Sequence, residues 1–222
     1  MMSTKVKICG LKDVSTIREL AGLHVDEVGL VFAPSRRQVS PALAGELINA
    51  IRELRNADGR APRTVGVFVN PSAGELQELI RVAPIDVIQL HGCESAELCR
   101  EIKRTTGKEV WKALSVQDRS GSGQPQSAED LVKPYLGSVD ALLIDTAGGG
   151  TGQTFDWNRV PEFRHALSGT GIPLYVAGGL HPDNVRQLVT EYAPDGVDVS
   201  SGVETNGTKD IVKIRTFVER VN

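Results

Sequence analysis

Short apolar runs rich in Val and Ile recur eight times along the chain, each followed by a turn signal and then by a helix-period segment. The runs fall at 6–9, 27–32, 64–69, 86–90, 109–114, 141–145, 173–177 and 196–200. Between them, apolar residues stand three and four apart. Leu43, Leu47, Ile51 and Leu54 form one such stripe, and Ile211, Ile214, Val218 and Val221 another. Helix starts are marked as well. Ser40 precedes Pro41, an N-cap followed by proline at the first helical position. Ser72 with Glu75 fits a capping box, and Asp13 stands where it can cap the helix of Ile17 and Leu20.

Strands that are apolar almost throughout are buried on both faces, as in a parallel sheet covered by helices. Eight strand–helix units in 222 residues predict an α/β protein, a single (β/α)8 TIM barrel occupying 1–222 as one domain. A doubly wound open sheet is the competitor, but it normally closes after five or six strands. The segment 118–130 reads as an expanded polar loop, and no stretch reads as an interdomain linker.

A hydrophobic content of 40% supports a full core, and a net charge of −3 gives no broad field for nucleic acid or an anionic membrane. The opening MMSTKVKICGLKD is charged too early for a secretory apolar segment, and no run is long enough to span a bilayer. The expectation is a soluble cytoplasmic protein. Cys9, Cys93 and Cys99 make no paired pattern, which argues against a disulfide framework. His91 with Cys93 and Cys99 lacks metal-site spacing, so no metal is expected.

In such barrels the active site sits at the C-terminal ends of the strands. The strand ends in this sequence carry Cys9, the loop APSRRQVS, Gln89 and His91, Asp145, Gly178-Gly179, and Asp198 with Ser200, Ser201 and Gly202. Gly178, Gly179, Ser200, Ser201 and Gly202 follow strands seven and eight. Loops there commonly form a phosphate site; the alternative is tight turns that need glycine. A phosphorylated small molecule is the expected ligand. Of Arg36 and Arg37, one reads as a solvated surface group and the other as a fork for a planar carboxylate. Asp145 closes a buried run, where desolvation helps a carboxyl hold its proton at neutral pH; otherwise it caps the next turn. Cys9 approaches from the opposite side of the ring. A thiol becomes a competent base when nearby cations or dipoles lower its pKa, and sequence does not show that shift. Acid facing base across an anchored substrate predicts isomerisation by proton transfer, without a cofactor.

The strings KICG, GLVFAPSRRQVSP, VGVFVN, VIQLHG, WKA, LIDT, GGTG, TFDW, GGL and GVDVSSGVE, in this order, resemble those of phosphoribosylanthranilate isomerases of tryptophan biosynthesis across nearly the whole chain. The resemblance implies an Amadori rearrangement of N-(5-phosphoribosyl)anthranilate to 1-(2-carboxyphenylamino)-1-deoxyribulose 5-phosphate. By motif, Cys9 becomes the general base at ribose C2 and Asp145 the general acid at the ring oxygen. Arg37, not Arg36, would hold the anthranilate carboxylate. Gly178, Gly179, Ser200 and Ser201 match the phosphate turns, Asp198 a position near the ribose hydroxyls, and Gln89 and His91 positions lining the pocket, though His91 equally suits packing. The segment TAGGGTGQ looks shorter than many family loops after the acid, and 118–130 longer. The implied partner is a small phosphosugar, in a monomer or homodimer. The nearest alternative, the histidine-pathway isomerase, has a phosphate turn in each half, and the QLHG half lacks a matching glycine pair. A non-catalytic phosphosugar-binding barrel would need neither Cys9 nor Asp145.

Overall fold

The computed structural model describes residues 3–116, 126–146 and 154–222. Eight parallel strands close into a barrel: β1 (Lys5–Cys9), β2 (Glu27–Val31), β3 (Arg63–Phe68), β4 (Val87–Leu90), β5 (Glu109–Val116), β6 (Ala141–Thr146), β7 (Leu174–Val176) and β8 (Gly196–Val199). The ring closes where β8 pairs with β1, setting Lys7 opposite Asp198. On its other side Lys7 stands opposite Glu27 of β2. The helices are α1 (Val14–Arg18), α2 (Pro41–Glu53), α3 (Ala73–Val82), α4 (Ala96–Thr106), α5 (Ala128–Val132), α6 (Val160–Ala166), α7 (Pro182–Tyr192) and α8 (Ile211–Val221). A two-stranded hairpin, β9 (Glu204–Thr205) and β10 (Thr208–Lys209), follows β8.

The expected caps form. The Ser40 side chain accepts from the Leu43 amide, Ser72 and Glu75 complete a capping box, and Asp13 accepts from Thr16. Several boundaries differ from the sequence expectation. The segment 118–130 is not loop to its end, because Ser127 caps α5 and the helix begins at Ala128. The helix capped by Asp13 stops at Arg18, leaving Leu20 in the following turn. Val69 lies beyond β3, and β5 continues to Val116. Residues 117–125 and 147–153, which include GGTG, lie outside the described residues.

Alternation along the strands divides the interior in two. Val6, Ile8, Val28, Leu30, Ile88 and Ile144 point outward into the core between sheet and helices. Val65, Val87, Trp111, Ala113, Ala141, Leu143, Tyr175 and Ala177 fill a separate apolar cluster inside the barrel. That inner cluster is supplied by β3 to β7. The sector under β1, β2 and β8 instead holds the buried polar groups Lys7, Glu27 and Asp198.

The N-terminal end of the barrel is fastened by a repeated device. Asp26, Asp86, Asp140 and Asp195 each stand just before an even-numbered strand. Each carboxylate accepts from the first backbone amides of the preceding strand: Val6, Thr64, Val110 and Leu174, at 2.8–2.9 Å. These amides have no partner within the ladder at that edge, so the carboxylates satisfy donors that would otherwise be orphaned.

Candidate active site

A cavity of about 290 Å³ opens at the C-terminal mouth of the barrel. Cys9, Arg37, Gln89, His91, Asp145, Gly178, Gly179, Asp198, Ser200 and Ser201 all line it, together with the apolar Val31, Ala33, Pro34, Val67 and Val69. Cys9 comes from β1 and Asp145 from β6, on different sides of the ring.

Gly202 alone among the sequence candidates does not line this cavity. It is packed against the Leu180 carbonyl, and a Cβ there would overlap that oxygen. Its role is the close approach of the β8 turn to the β7 turn, which corrects its expected place among the phosphate groups. Gly178 and Gly179 have φ of +83° and +61°, the left-handed region natural to glycine. A Cβ on Gly178 would stand 2.8 Å from Asp145 Oδ1, so the bare backbone also keeps room beside that carboxyl. The turn is pinned by Asn184, which donates to the Gly179 carbonyl at 3.0 Å and accepts from the His181 amide at 2.9 Å.

Asp145 is buried, with Oδ2 at 3.3 Å from His91 Nε2. Its Oδ1 is buried beside Gly178 and has no hydrogen-bond partner among the described residues. His91 Nδ1 in turn lies 3.4 Å from Gln89 Nε2. His91 is therefore a polar neighbour of the acid, and the packing alternative left open by the sequence does not describe it.

Arg37 departs from the simple fork. Its Nε and Nη2 are already bound to the two oxygens of Glu204, at 2.7 and 3.1 Å. The edge expected to hold a substrate carboxylate is thus occupied by a protein carboxylate, leaving Nη1 and the second Nη2 proton. Arg36 also reaches Glu204, but more than half of its side chain is exposed. Lys209 donates to Glu204 at 2.9 Å. Burial would raise the Glu204 carboxyl, but the bonds from Arg37 and Lys209 overcome it and hold the group down at about 2.

Lys7 is completely buried with its Nζ 2.9 Å from Asp198 Oδ1. Burial disfavours its charge, yet Asp198 and Cys9 outweigh that and its pKa is raised, so it remains an ammonium. Burial holds the Cys9 thiol above its ordinary value; the Lys7 cation draws it back only in part, Asp198 adds to the rise and Lys209 opposes it. Reading the strand ends missed Lys7, Glu204 and Lys209. The signal for Lys7 was present in KVKICG, since a lysine two residues before the cysteine shares its inward face.

A (β/α)8 barrel carrying a thiol and a carboxyl on different sides of one mouth, with glycine–serine turns from the last two strands between them, is the framework of a sugar-phosphate isomerase. The family model described as N-(5'phosphoribosyl)anthranilate (PRA) isomerase matches residues 6–220. An N-(5'-phosphoribosyl)anthranilate isomerase of Brevibacillus brevis is 44% identical over 222 residues, covering 98% of this chain and 93% of that one. The phosphoribosyl anthranilate isomerase of Thermotoga maritima superposes with a TM-score of 0.77 at 31% identity, covering 98% of both chains. A further solved phosphoribosyl anthranilate isomerase, in complex with reduced 1-(o-carboxyphenylamino)-1-deoxyribulose 5-phosphate, gives a TM-score of 0.74 at 31% identity, with 98% of both chains covered. The chain belongs to the N-(5'-phosphoribosyl)anthranilate isomerase family. Among the described residues, no helix is long and apolar enough to cross a membrane.

Proposed function

We propose that the chain converts N-(5-phosphoribosyl)anthranilate to 1-(2-carboxyphenylamino)-1-deoxyribulose 5-phosphate, the isomerisation step of tryptophan biosynthesis. Asp145 gives its proton to the furanose oxygen as the C1–O bond breaks, and the anilino nitrogen supplies the electron pair that forms the C1=N iminium. Cys9, as thiolate, then removes the C2 proton, and the C2–H pair moves to close an enolamine while the nitrogen is neutralised. Tautomerisation of the enolamine yields the C2 ketone and the C1 amine. No net oxidant or reductant enters, because the aldose carbon is reduced as its neighbour is oxidised.

The observation that supports this reading is the placement of Cys9 and Asp145 on β1 and β6 of the same cavity. The turns at Gly178-Gly179 and Ser200-Ser201 are the proposed phosphate cradle, and they stand between β6 and β1 in the ring order. The apolar wall of Val31, Ala33, Pro34, Val67 and Val69 suits the anthranilate ring. Arg37 is proposed to meet the anthranilate carboxylate through its remaining Nη protons, and Asp198 and Gln89 the sugar.

The test is disappearance of freshly formed phosphoribosylanthranilate, followed with the wild-type chain, Cys9→Ala and Asp145→Asn. Each variant is expected to lose at least about a hundredfold in kcat/KM, the lower range for removing a positioned acid or base. Wild-type turnover in both variants would overturn the mechanism.

A further inference from the structure

Lys7 and Cys9 lie two residues apart on β1, so both side chains enter the barrel from the same face. They are also brought side by side by a gap in the neighbouring strand. Gly29 of β2 stands opposite Cys9 in the register. A Cβ on Gly29 would meet Cys9 Sγ at 2.8 Å and Lys7 Nζ at 3.1 Å, so the missing methyl is the space in which the two polar ends sit. From the other neighbour, β8, Asp198 anchors Lys7 through its 2.9 Å ion pair. Lys7 therefore has a fixed place, with no water contact to satisfy its charge.

The buried pair has a second function beyond filling the barrel. Resting on the assignment of Cys9 as base, the geometry points to Lys7 as the positioning residue that makes the Cys9 thiolate: its ammonium, held by Asp198 and admitted by Gly29, neutralises the developing sulfur charge. A buried ion pair is costly to keep, and apolar side chains in place of both Lys7 and Asp198 would fill this sector of the barrel with no greater penalty. The place of Lys7 beside the one thiol among the described residues that lines the cavity is explained by the charge that thiol must carry. Burial alone opposes an anion at Cys9, so a fixed counter-charge is the direct remedy.

The other charged groups facing Cys9 do not serve equally well. Asp198 from β8 is an anion and works against the thiolate. Lys209 from β10 favours it, but its Nζ is committed to Glu204 and to the Ser200 carbonyl, at 2.9 and 2.7 Å. Arg37 is likewise bound to Glu204. Asp145 and His91 line the far side of the cavity, and Glu27 lies beside Lys7 in the register, toward the other end of the barrel. Ser200 donates to the Cys9 carbonyl at 3.1 Å and fixes its backbone without touching its charge.

The test reads the thiol directly. The pH dependence of iodoacetamide alkylation at Cys9 is followed by peptide mass spectrometry, which separates Cys9 from Cys93 and Cys99. Lys7→Met is expected to move the Cys9 inflection up by at least about one pH unit, giving alkylation and kcat about tenfold slower at neutral pH. Lys7→Arg, which retains the charge, is expected to recover part of both. An unmoved inflection in a folded Lys7→Met chain overturns the inference. If that variant does not fold, Lys7→Met/Asp198→Asn read against Asp198→Asn supplies the reading: with the anion absent from both, loss of Lys7 is expected to raise the Cys9 inflection, and an unmoved one overturns the inference. Because alkylation needs no substrate, it is independent of the reaction assignment. Full activity in Cys9→Ala overturns the base assignment and this role together, whereas an inactive Cys9→Ala beside an unmoved inflection in Lys7→Met overturns the role of Lys7 alone.

Discussion

His91 Nε2 lies 3.3 Å from Asp145 Oδ2, joining the end of β4 to the end of β6 across the inner face of the barrel. The imidazole is about a quarter exposed while the carboxyl is nearly buried. It thus connects the proposed acid to solvent and holds one carboxyl oxygen, while the other lies unpartnered among the described residues beside Gly178.

For His91→Ala, kcat is expected to fall about tenfold with a smaller change in KM, since one hydrogen bond of about 1.4 kcal/mol orients the acid without performing the transfer. Steady-state kinetics beside Asp145→Asn checks the order. A loss as large as that of Asp145→Asn would make His91 the acid instead.

Arg37 and Glu204 form a second pair whose partners lie 167 residues apart in sequence. Arg37→Ala is expected to raise KM by roughly ten- to a hundredfold, the worth of a charge-assisted bond to a carboxylate. Arg36→Ala should change KM much less, because that side chain is mostly solvated. Glu204→Gln is expected to raise KM to an intermediate level by loosening the Arg37 fork. A larger effect at Arg36 than at Arg37 would reassign the carboxylate site.

Glu27 gives the fold a pH dependence of its own. Burial, with a contribution from Asp26, pushes its carboxyl up to about 7, while Tyr175 donates to Oε1 at 3.0 Å. Its Oε2 has no hydrogen-bond partner among the described residues. With the folded pKa above the unfolded one, the folded chain binds the extra proton, so stability declines as pH rises from about 4.5 to 7 and then levels. Glu27→Gln, which still accepts from Tyr175, is expected to stabilise the chain by up to ~3 kcal/mol at pH 8 and by under ~1 kcal/mol at pH 5. Chemical denaturation at the two pH values measures this, and an equal gain at both would refute it.

Asp86 belongs to the fastening at the opposite end from the site. It accepts from the Thr64 amide and hydroxyl at 2.8 and 2.7 Å. Asp86→Ala is expected to cost about 1–3 kcal/mol by leaving the Thr64 amide unsatisfied. The kcat and KM of the folded fraction should be unchanged, because in this fold the N-terminal face carries stability and the C-terminal face carries chemistry. Thermal melts paired with kinetics separate the two.

What KVKICG and its seven counterparts determined was the barrel itself. Period-two and period-3.6 patterns, with caps such as Ser40-Pro41 and Ser72-Glu75, are local, since each involves residues no more than a few positions apart. The rule that chemistry gathers at strand ends then brought Cys9, Asp145, His91 and the two glycine–serine turns to one mouth. The tertiary structure decided how those groups are wired. Lys7 meets Asp198 over 191 residues, because the last strand closes on the first. Glu204 takes the fork of Arg37 because the turn after β8 folds back over the loop after β2. The direction of the Cys9 shift also waited on the fold, since burial and the Lys7 charge act in opposite senses and their balance depends on distances absent from the sequence. Ring closure creates these contacts, and no local periodicity encodes them.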